Sequence, residues 1–434
     1  MFNALMLICY SILKSTNEVE STENAIIYLP PGPVFSTDST TIPNSNGYGT
    51  PQETLARITG STVITINYRL GYVSENPKKN LLDKEDLFDE SNRQIRQYPT
   101  PVHDTLAGFD WVLHNASPRR LGVVGSNVGG SLALMLALTE FQSIRAVAAY
   151  EPICDWAGLD EYCTVSPSDV AEAVSGEDVE LELMQAQIEQ IRQNSRRKKK
   201  TTPSDLVPLL KAREQFFATP SRYFDAFASP MLFLRSAGKD TPNAFPQYLT
   251  GPEHPTPVLQ KPVIDHDLID TWDTYHEDEK SPADATSTDE RPTRRRKALS
   301  RWPPFGLDYS TDGVLEAKLP WVKIFAHAEE PAPSIAETDD TKTDHDVPMK
   351  KRRHNNNASD SVLASQAEEM VSIMHRACFW GREKGYGEQI VTLNRVSRTV
   401  PGDDDNNRDP QTDVFRETGS WFNDVLCRDY DVET

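Results

Sequence analysis

The chain has 434 residues, 38% of them hydrophobic, enough for one large core carrying insertions and too much for a short module. A formal charge of −20 and a pI near 4.9 exclude a nucleic-acid-binding surface spread over the whole protein. The 5 cysteines (Cys9, Cys154, Cys163, Cys378, Cys427) show neither CxxC nor Cys/His ligand spacing, which fits a reduced, cytoplasmic protein and calls for no metal or cofactor.

Residues 1–24 open on MFNALMLICYSILK, which has no basic residue ahead of its apolar part and no small-x-small cleavage site. A first strand or a truncated start is expected there in preference to a signal peptide. No apolar run approaches the roughly 20 residues that a spanning helix needs. Residues 25–29 (AIIYL) read as a buried strand entering the loop Pro30-Pro31-Gly32-Pro33. A short helix over 52–58 leads through Gly60 into 62–68 (TVITINY), a second core strand, so a parallel crossover is expected. Residues 74–97 are charged and aperiodic and read as a solvated insertion. After Pro101, the residues Val102, Leu106, Phe109 and Leu113 recur at helical spacing, with Trp111 beside them.

The organising stretch is 121–138, LGVVGSNVGGSLALMLAL. A short strand runs through Gly125-Ser126-Asn127-Val128-Gly129-Gly130 straight into an apolar helix. A bend this tight holds its central residue at positive φ and requires tiny residues two before and two after it. Gly125 and Gly129 meet that demand around Asn127. Centring the bend on Ser126 instead would put β-branched Val124 and Val128 at the flanks. Asparagine tolerates the left-handed backbone, but its carboxamide has no ionisable proton for a base to take and is a poor nucleophile.

Residues 144–150 (IRAVAAY) give the next strand, ending at Glu151-Pro152. These segments form the first part of the core, 25–154. Residues 155–227 read as a lid-like helical insertion, with Leu181, Met184, Ile188 and Ile191 at amphipathic spacing and a second helix after a cap at Ser204. A core or rim segment, 228–240, contains MLFL as a short strand or as apolar chain on the rim. Segments 241–300 and 330–360, rich in Pro, Asp, Thr and charge, read as flexible insertions. Between them, 301–329 returns to the core with the strand WVKIFA after Leu319-Pro320. The final core part, 361–434, holds a helix from 364 to 379, a last strand at 389–393 and a closing helix from Trp421 capped by Ser420. The basic clusters at 196–200, 294–297 and 350–353 match the loose composition of nuclear-localisation signals and read first as solvated charge runs.

Taken in order, YLPPGPVF (28–35), NYRL (67–70), Pro101, Asp104 and Trp111, the bend at Asn127 and Leu319-Pro320 before a strand resemble the hormone-sensitive-lipase-like, fold-3 esterase branch of the α/β-hydrolase superfamily. The resemblance covers residues 25–426 apart from the insertions. It implies an α/β-hydrolase fold: a mainly parallel central sheet flanked by helices, with a helical lid and long flexible insertions. It places Asn127 at the nucleophile position and Glu329 at the acid position. An alternative register nominates Asp240 as the acid. Glu329 is preferred because the helix from 364 and the strand from 389 then follow in family order.

The family's histidine base follows the last strand, where this chain has none. His375 lies inside a predicted helix, and Arg395 and Arg398 cannot act as bases at neutral pH. His327 is the first candidate for a base supplied from elsewhere. In the oxyanion loop, Pro31 and Pro33 replace glycines and have no N–H to donate, which leaves Gly32 and the amide of Val128. The resemblance therefore implies an esterase- or lipase-like protein with a degenerate site. Such a protein would bind a small apolar or acyl ligand, or a protein partner through its lid or insertions. The alternative is an active carboxylic-ester hydrolase with a rearranged site. No nucleic acid is expected as a partner.

Overall fold

The computed structural model describes residues 9–13, 23–35, 50–73, 94–165, 203–235, 241–251, 253–260, 302, 318–328, 361–379, 382–397 and 410–427. The chain starts with strand β1 (Cys9–Leu13) and then β2 (Ala25–Leu29), which is buried at all five positions, as a strand covered on both faces must be. Helix α1 (Pro51–Thr59) follows. Thr50 and Glu53 form a reciprocal capping box at its start, and Gly60, at φ +65°, ends it. Then come β3 (Thr62–Asn67), β4 (Gly71–Val73), β5 (Gln94–Arg96), α2 (Thr100–Asn115), β6 (Leu121–Ser126), α3 (Asn127–Thr139) and β7 (Ala146–Tyr150).

The main sheet adds β11 (Trp321–Ala328) and β12 (Val391–Ser397) in the order β1-β3-β2-β6-β7-β11-β12, seven strands. All neighbours run parallel except β1, which is antiparallel to β3. Helix α4 (Leu206–Phe216) belongs to the cap described below, and α5 (Val362–Cys378), α6 (Tyr386–Ile390) and α7 (Pro410–Cys427) to the C-terminal part. Alternation along the strands divides the core into two layers. Ile26, Tyr28, Val63, Val124 and Phe325 pack with Leu55 of α1 and with Phe415, Phe422 and Val425 of α7. Ile27, Leu29, Ile64, Val123 and Ile324 face Phe109 of α2, the whole of α3, and Ala367, Met370 and Met374 of α5.

The expected mainly parallel sheet between helices is the observed one. Its direction of winding reverses between β2 and β6: from β2 the chain goes outward through α1 to β3, then returns through α2 to β6 on β2's other side. Ligand crevices of open α/β sheets lie at such a switch, outside the carboxyl ends of the strands. Two sequence motifs lock this return. Asp104 in α2 accepts from Arg69 Nε and backbone N, both at 2.9 Å, and from Nη2 at 2.7 Å. The loop leaving β3 is thereby tied to the helix that carries the chain back.

Above the carboxyl edge sits a cap built from α4, 3-10 turns at Ala157–Tyr162, Pro220–Phe224 and Pro230–Phe233, and a small sheet of β8 (Thr164–Val165), β10 (His254–Gln260) and β9 (Gln247–Gly251). Tyr98 stacks on Phe217 at 4.6 Å, Trp156 meets Phe217 edge-on at 5.6 Å, and the Tyr98 amide donates to the Phe216 carbonyl at 2.9 Å. Arg213 of α4 is fully buried. Its Nη2 pairs with Asp160 at 2.7 Å and contacts Tyr248 of β9, its Nη1 donates to the Trp156 carbonyl at 3.0 Å, and its guanidinium lies 4.8 Å over the Tyr223 ring. Burial alone would lower the Arg213 pKa, but Asp160 and Tyr248 outweigh it and the pKa is raised.

Several boundaries differ from the sequence reading. Ser204 does not cap α4: the residue at that position is Asp205, and its carboxylate instead accepts from Val362 N and Leu363 N, both at 3.0 Å, capping α5 across the chain. The MLFL segment is a 3-10 turn in place of a strand, because Pro230 has no N–H for a ladder. Residues 241–260, read as the start of a flexible insertion, contain β9 and β10, and part of the 74–97 insertion pairs as β5 with β4. The last strand begins at Val391, after the short α6. The closing helix starts at Pro410, which puts Ser420 inside it instead of at its cap. The helix expected around Leu181 to Ile191 and the three basic clusters lie outside the described residues.

Asp160→Ala leaves the buried Arg213 without its counter-charge, and breaking a buried pair by removing one partner costs about 3–5 kcal/mol. Because the Asp160 side chain is 18% exposed, the lower end of that range is expected. Urea denaturation should show this loss for Asp160→Ala and a smaller one for Asp160→Ala combined with Arg213→Met. Equal losses would show that the ion pair does not organise the cap.

Candidate functional site

β6 ends in an extended Ser126 (φ −120°, ψ 146°), and the chain then turns at Asn127, φ +47°, directly into α3. Both flanking glycines are dictated by contact. A Cβ on Gly125 would lie 2.1 Å from the Gly129 carbonyl oxygen, and one on Gly129 would lie 2.3 Å from the carbonyl oxygens of Leu29 and Pro30. The end of β2 thus presses on bare backbone in the first turn of α3. α3 is apolar on every side and buried from Val128 to Leu138, filling the space between the sheet and the helices around it.

The loop after β2 carries the second half of the site. Gly32 takes φ +73°, and a Cβ there would meet Val128 Cβ at 3.2 Å and the Tyr68 hydroxyl at 3.1 Å. Two of its carbonyls accept from the core: Pro31 O from Val128 N at 3.2 Å, and Pro30 O from the Tyr68 hydroxyl at 2.6 Å. Burial, reinforced by Tyr98 and Tyr28, pushes the Tyr68 phenol far up, so it remains a donor. The Val128 amide, one of the two donors read from the sequence, is therefore engaged by the protein's own backbone.

Beside Asn127, the next strand ends in the same way. Ser126 pairs with Tyr150 across β6 and β7, and the residue after each pair partner takes a left-handed backbone: Asn127 at φ +47° and Glu151 at φ +43°. Glu151 N donates to Phe325 O of β11 at 2.8 Å, and Ile153 N reaches back to Asn127 O at 3.4 Å. His327, near the end of β11, hydrogen-bonds through Nε2 to the Tyr150 phenol, and the same nitrogen lies 3.9 Å from a Glu151 carboxylate oxygen. The side chains of His327 and Glu151 are 23% and 18% exposed, within reach of solvent. Among the described residues, two buried oxygens at this edge, Ser126 Oγ and Asn127 Oδ1, have no hydrogen-bond partner.

Two further sequence candidates are described and make other contacts. His375 contacts the Val391 carbonyl through Nε2 at 2.8 Å, fastening α5 to β12, and Arg395 pairs with Glu368 at the surface. Glu329, Asp240 and Arg398 lie outside the described residues. Sequence reasoning passed over Glu151 and Tyr150. The available signal was a buried apolar strand ending in a polar residue followed by proline, one strand over from the bend. Among the described residues no group of three or more His, Cys, Asp or Glu side chains is placed to hold a metal ion, and no helix is long and apolar enough to cross a membrane.

A strand-to-helix bend with glycines on either side of a positive-φ residue, at the switch point of a mainly parallel sheet, is the arrangement described for α/β hydrolases. The chain has an α/β-hydrolase fold. No family model and no curated protein matches it. Among solved structures it is similar to carboxyl esterase 2 from the mycorrhizal fungus Tuber melanosporum, at 12% identity and a TM-score of 0.42, covering 96% of this chain and 83% of that one. It is also similar to EstE1, a thermostable carboxylesterase from a metagenomic library, at 13% identity and a TM-score of 0.42, covering 97% and 85%. A third similar structure is an esterase of the bacterial hormone-sensitive lipase family, at 12% identity and a TM-score of 0.40, covering 96% and 85%. The fold assignment rests on this chain's own sheet order and bend.

The two elbow glycines separate the bend from generic helix packing. Gly129→Ala drives a Cβ into two carbonyl oxygens at 2.3 Å, whereas the nearest atom to a Cβ on Gly130 lies at 3.2 Å. Overpacking against backbone costs about 1–3 kcal/mol or more, while alanine in a helix regains about 1 kcal/mol over glycine. Gly129→Ala is expected to lose at least about 3 kcal/mol in urea titrations and Gly130→Ala less than about 1 kcal/mol. Similar midpoints for the two variants would remove the close approach as the reason for Gly129.

Proposed function

We propose that this protein is an esterase- or lipase-like α/β-hydrolase-fold protein whose catalytic site is impaired and which acts by binding a small apolar or acyl ligand, or a protein partner through its cap. The observation that carries the reading is the hydrogen bond from Val128 N to Pro31 O beside Asn127. An acyl-transfer site needs a nucleophile with a removable proton, a base within reach of it, and amides aimed at the developing oxyanion. Here the nucleophile position holds a carboxamide, and the amide next to it is already bonded. No histidine follows His375 in the sequence. A reducing, cytoplasmic setting belongs to the same proposal and is supported by free Cys154, Cys163, Cys378 and Cys427; alkylation of these thiols in a cell lysate without prior reduction tests it.

A second reading, an active carboxylic-ester hydrolase with a rearranged site, draws on one feature. His327 stands beside Glu151 and Tyr150 at the carboxyl edge, so an imidazole and a carboxylate are present. The imidazole nitrogen that faces Glu151 is the one already bonded to the Tyr150 phenol, an arrangement unlike the opposed nitrogens of a catalytic triad.

Asn127→Ser should not create an efficient esterase. Serine restores a hydroxyl but not a base, and one missing oxyanion donor alone is worth about 3–4 kcal/mol of transition-state stabilisation. Hydrolysis of p-nitrophenyl butyrate by wild type, Asn127→Ser and Asn127→Ala is expected to agree within about 10-fold, with no covalent acyl-enzyme by mass spectrometry. A serine variant that turns over far above the alanine variant, and loses that gain when His327→Gln is added, would establish the second reading.

A further inference from the structure

A cavity of about 630 Å³ lies at the amino ends of β2 and β3, across the sheet from the Asn127 edge. Its floor is one face of the sheet. Ala25 pairs with Thr62, and Ile12 of the edge strand β1 pairs with Ile64, so all four residues project to the side that α2 covers. Its wall is the last turn of α2, where Trp111 and Asn115, four residues apart, share a helix face. Asn115 Nδ2 donates to the Trp111 carbonyl at 2.8 Å. The chain then turns through Ser117, φ +40°, and Arg119 N donates to Glu23 O at 2.9 Å, closing the end of α2 against the residues that lead into β2.

The floor is buried at Ala25 and Ile64, whereas Trp111 and Thr62 are partly exposed and Glu23, Asn115 and Ser117 at the rim are exposed. A ligand can therefore enter, and the volume falls within the roughly 300–1,000 Å³ of small-molecule sites. Among the described lining residues there is one carboxylate, Glu23, and no Lys, Arg or His. The carbonyl end of α2 adds partial negative charge, which disfavours an anion. A cation would gain little more than one solvent-exposed carboxylate, and such pairs are worth about 0–1 kcal/mol.

What the lining offers is an apolar ring face beside neutral groups of both polarities. Asn24 and Thr62 each carry a donor and an acceptor, and Asn115 Oδ1 and Glu23 accept. A pyranose with equatorial hydroxyls has the matching form: apolar C–H faces, and a rim of groups that both donate and accept. We infer that this cavity binds a neutral saccharide, with one ring face on the Trp111 indole and its hydroxyls on Asn24, Thr62 and Glu23.

The test is isothermal titration of the full-length protein with cellobiose, and with glucosamine and glucuronate as the cationic and anionic forms of the same ring. Saturable binding of cellobiose in preference to both charged sugars is expected. Trp111→Ala should weaken it by at least about 10-fold, because a truncated aromatic anchor removes most of the contact. Thr62→Val, which keeps the branched shape and removes the hydroxyl, should weaken it by about 3-fold or more. Trp421→Ala removes another partly exposed tryptophan, on α7 behind the other face of the sheet, and should change nothing.

No saturable cellobiose binding, tighter binding of either charged sugar, or equal weakening by Trp111→Ala and Trp421→Ala would each overturn the inference. Should Trp111→Ala fail to fold by circular dichroism, the response to Thr62→Val decides alone. The esterase assay reads the carboxyl edge of the sheet and this titration the amino edge, so either reading can fail while the other stands.

Discussion

The contact on which the molecule depends is the approach of bare backbone at Gly129 to the carbonyl oxygens that end β2. It fixes how deeply α3 enters the sheet, and α3, buried from Val128 to Leu138, sets the spacing of the layer holding α2 and α5. A helix with no polar face cannot be moved outward without exposing the side chains that surround it. The left-handed turn at Asn127 follows: a strand ending under that helix must reverse into it within one residue, and φ +47° is how it does so. Asparagine bears this backbone at lower cost than a branched or bulky residue.

The same geometry explains why the loop after β2 closes on the elbow. Once Leu29 and Pro30 press on Gly129, Pro31 arrives opposite the Val128 amide, a free donor in the first turn of α3. A buried amide with no partner costs about 1–3 kcal/mol, so a proline loop that offers carbonyls inward satisfies it. Tyr68 completes the arrangement by donating to Pro30 from the end of β3. In a hydrolase that donor waits for substrate, unsatisfied, as part of the machinery. Here the Pro31 carbonyl satisfies that amide from within the fold.

The central strands and the elbow were legible because their signals are local. AIIYL, TVITIN and WVKIFA are apolar runs of strand length, and Gly125 and Gly129 bracket Asn127 at the spacing the bend demands. The pairing of Arg69 with Asp104 also joined two motifs that the sequence had only placed in order. Less legible were elements whose reason is a distant partner. Asp205 caps a helix more than 150 residues away, a role no window around it reveals. β9 is mostly exposed, and Tyr248 in it is fixed by Arg213 and Asp160 instead of by an alternating core pattern. α7 begins well before its aromatic stretch because Val414 and Phe415 already reach the layer behind β2 and β3, although the intervening residues look polar.

The site itself divides the same way. Asn127, Gly32 and Val128 were visible because family-like motifs place them; the direction of the Pro30 and Pro31 carbonyls was not, since a sequence shows that an N–H is missing but not where the carbonyl points. Glu151 escaped because its left-handed backbone is imposed from outside: its amide is held by Phe325 of β11, and Pro152 behind it packs on Gly130 of α3. Strain of that origin is a property of three packed elements, and the proline that follows Glu151 marks only the end of the strand and not the left-handed turn. It follows that the left-handed turn at Glu151, like the one at Asn127, is written in the packing of neighbouring strands and α3 against one another, and not in the residue's own side chain.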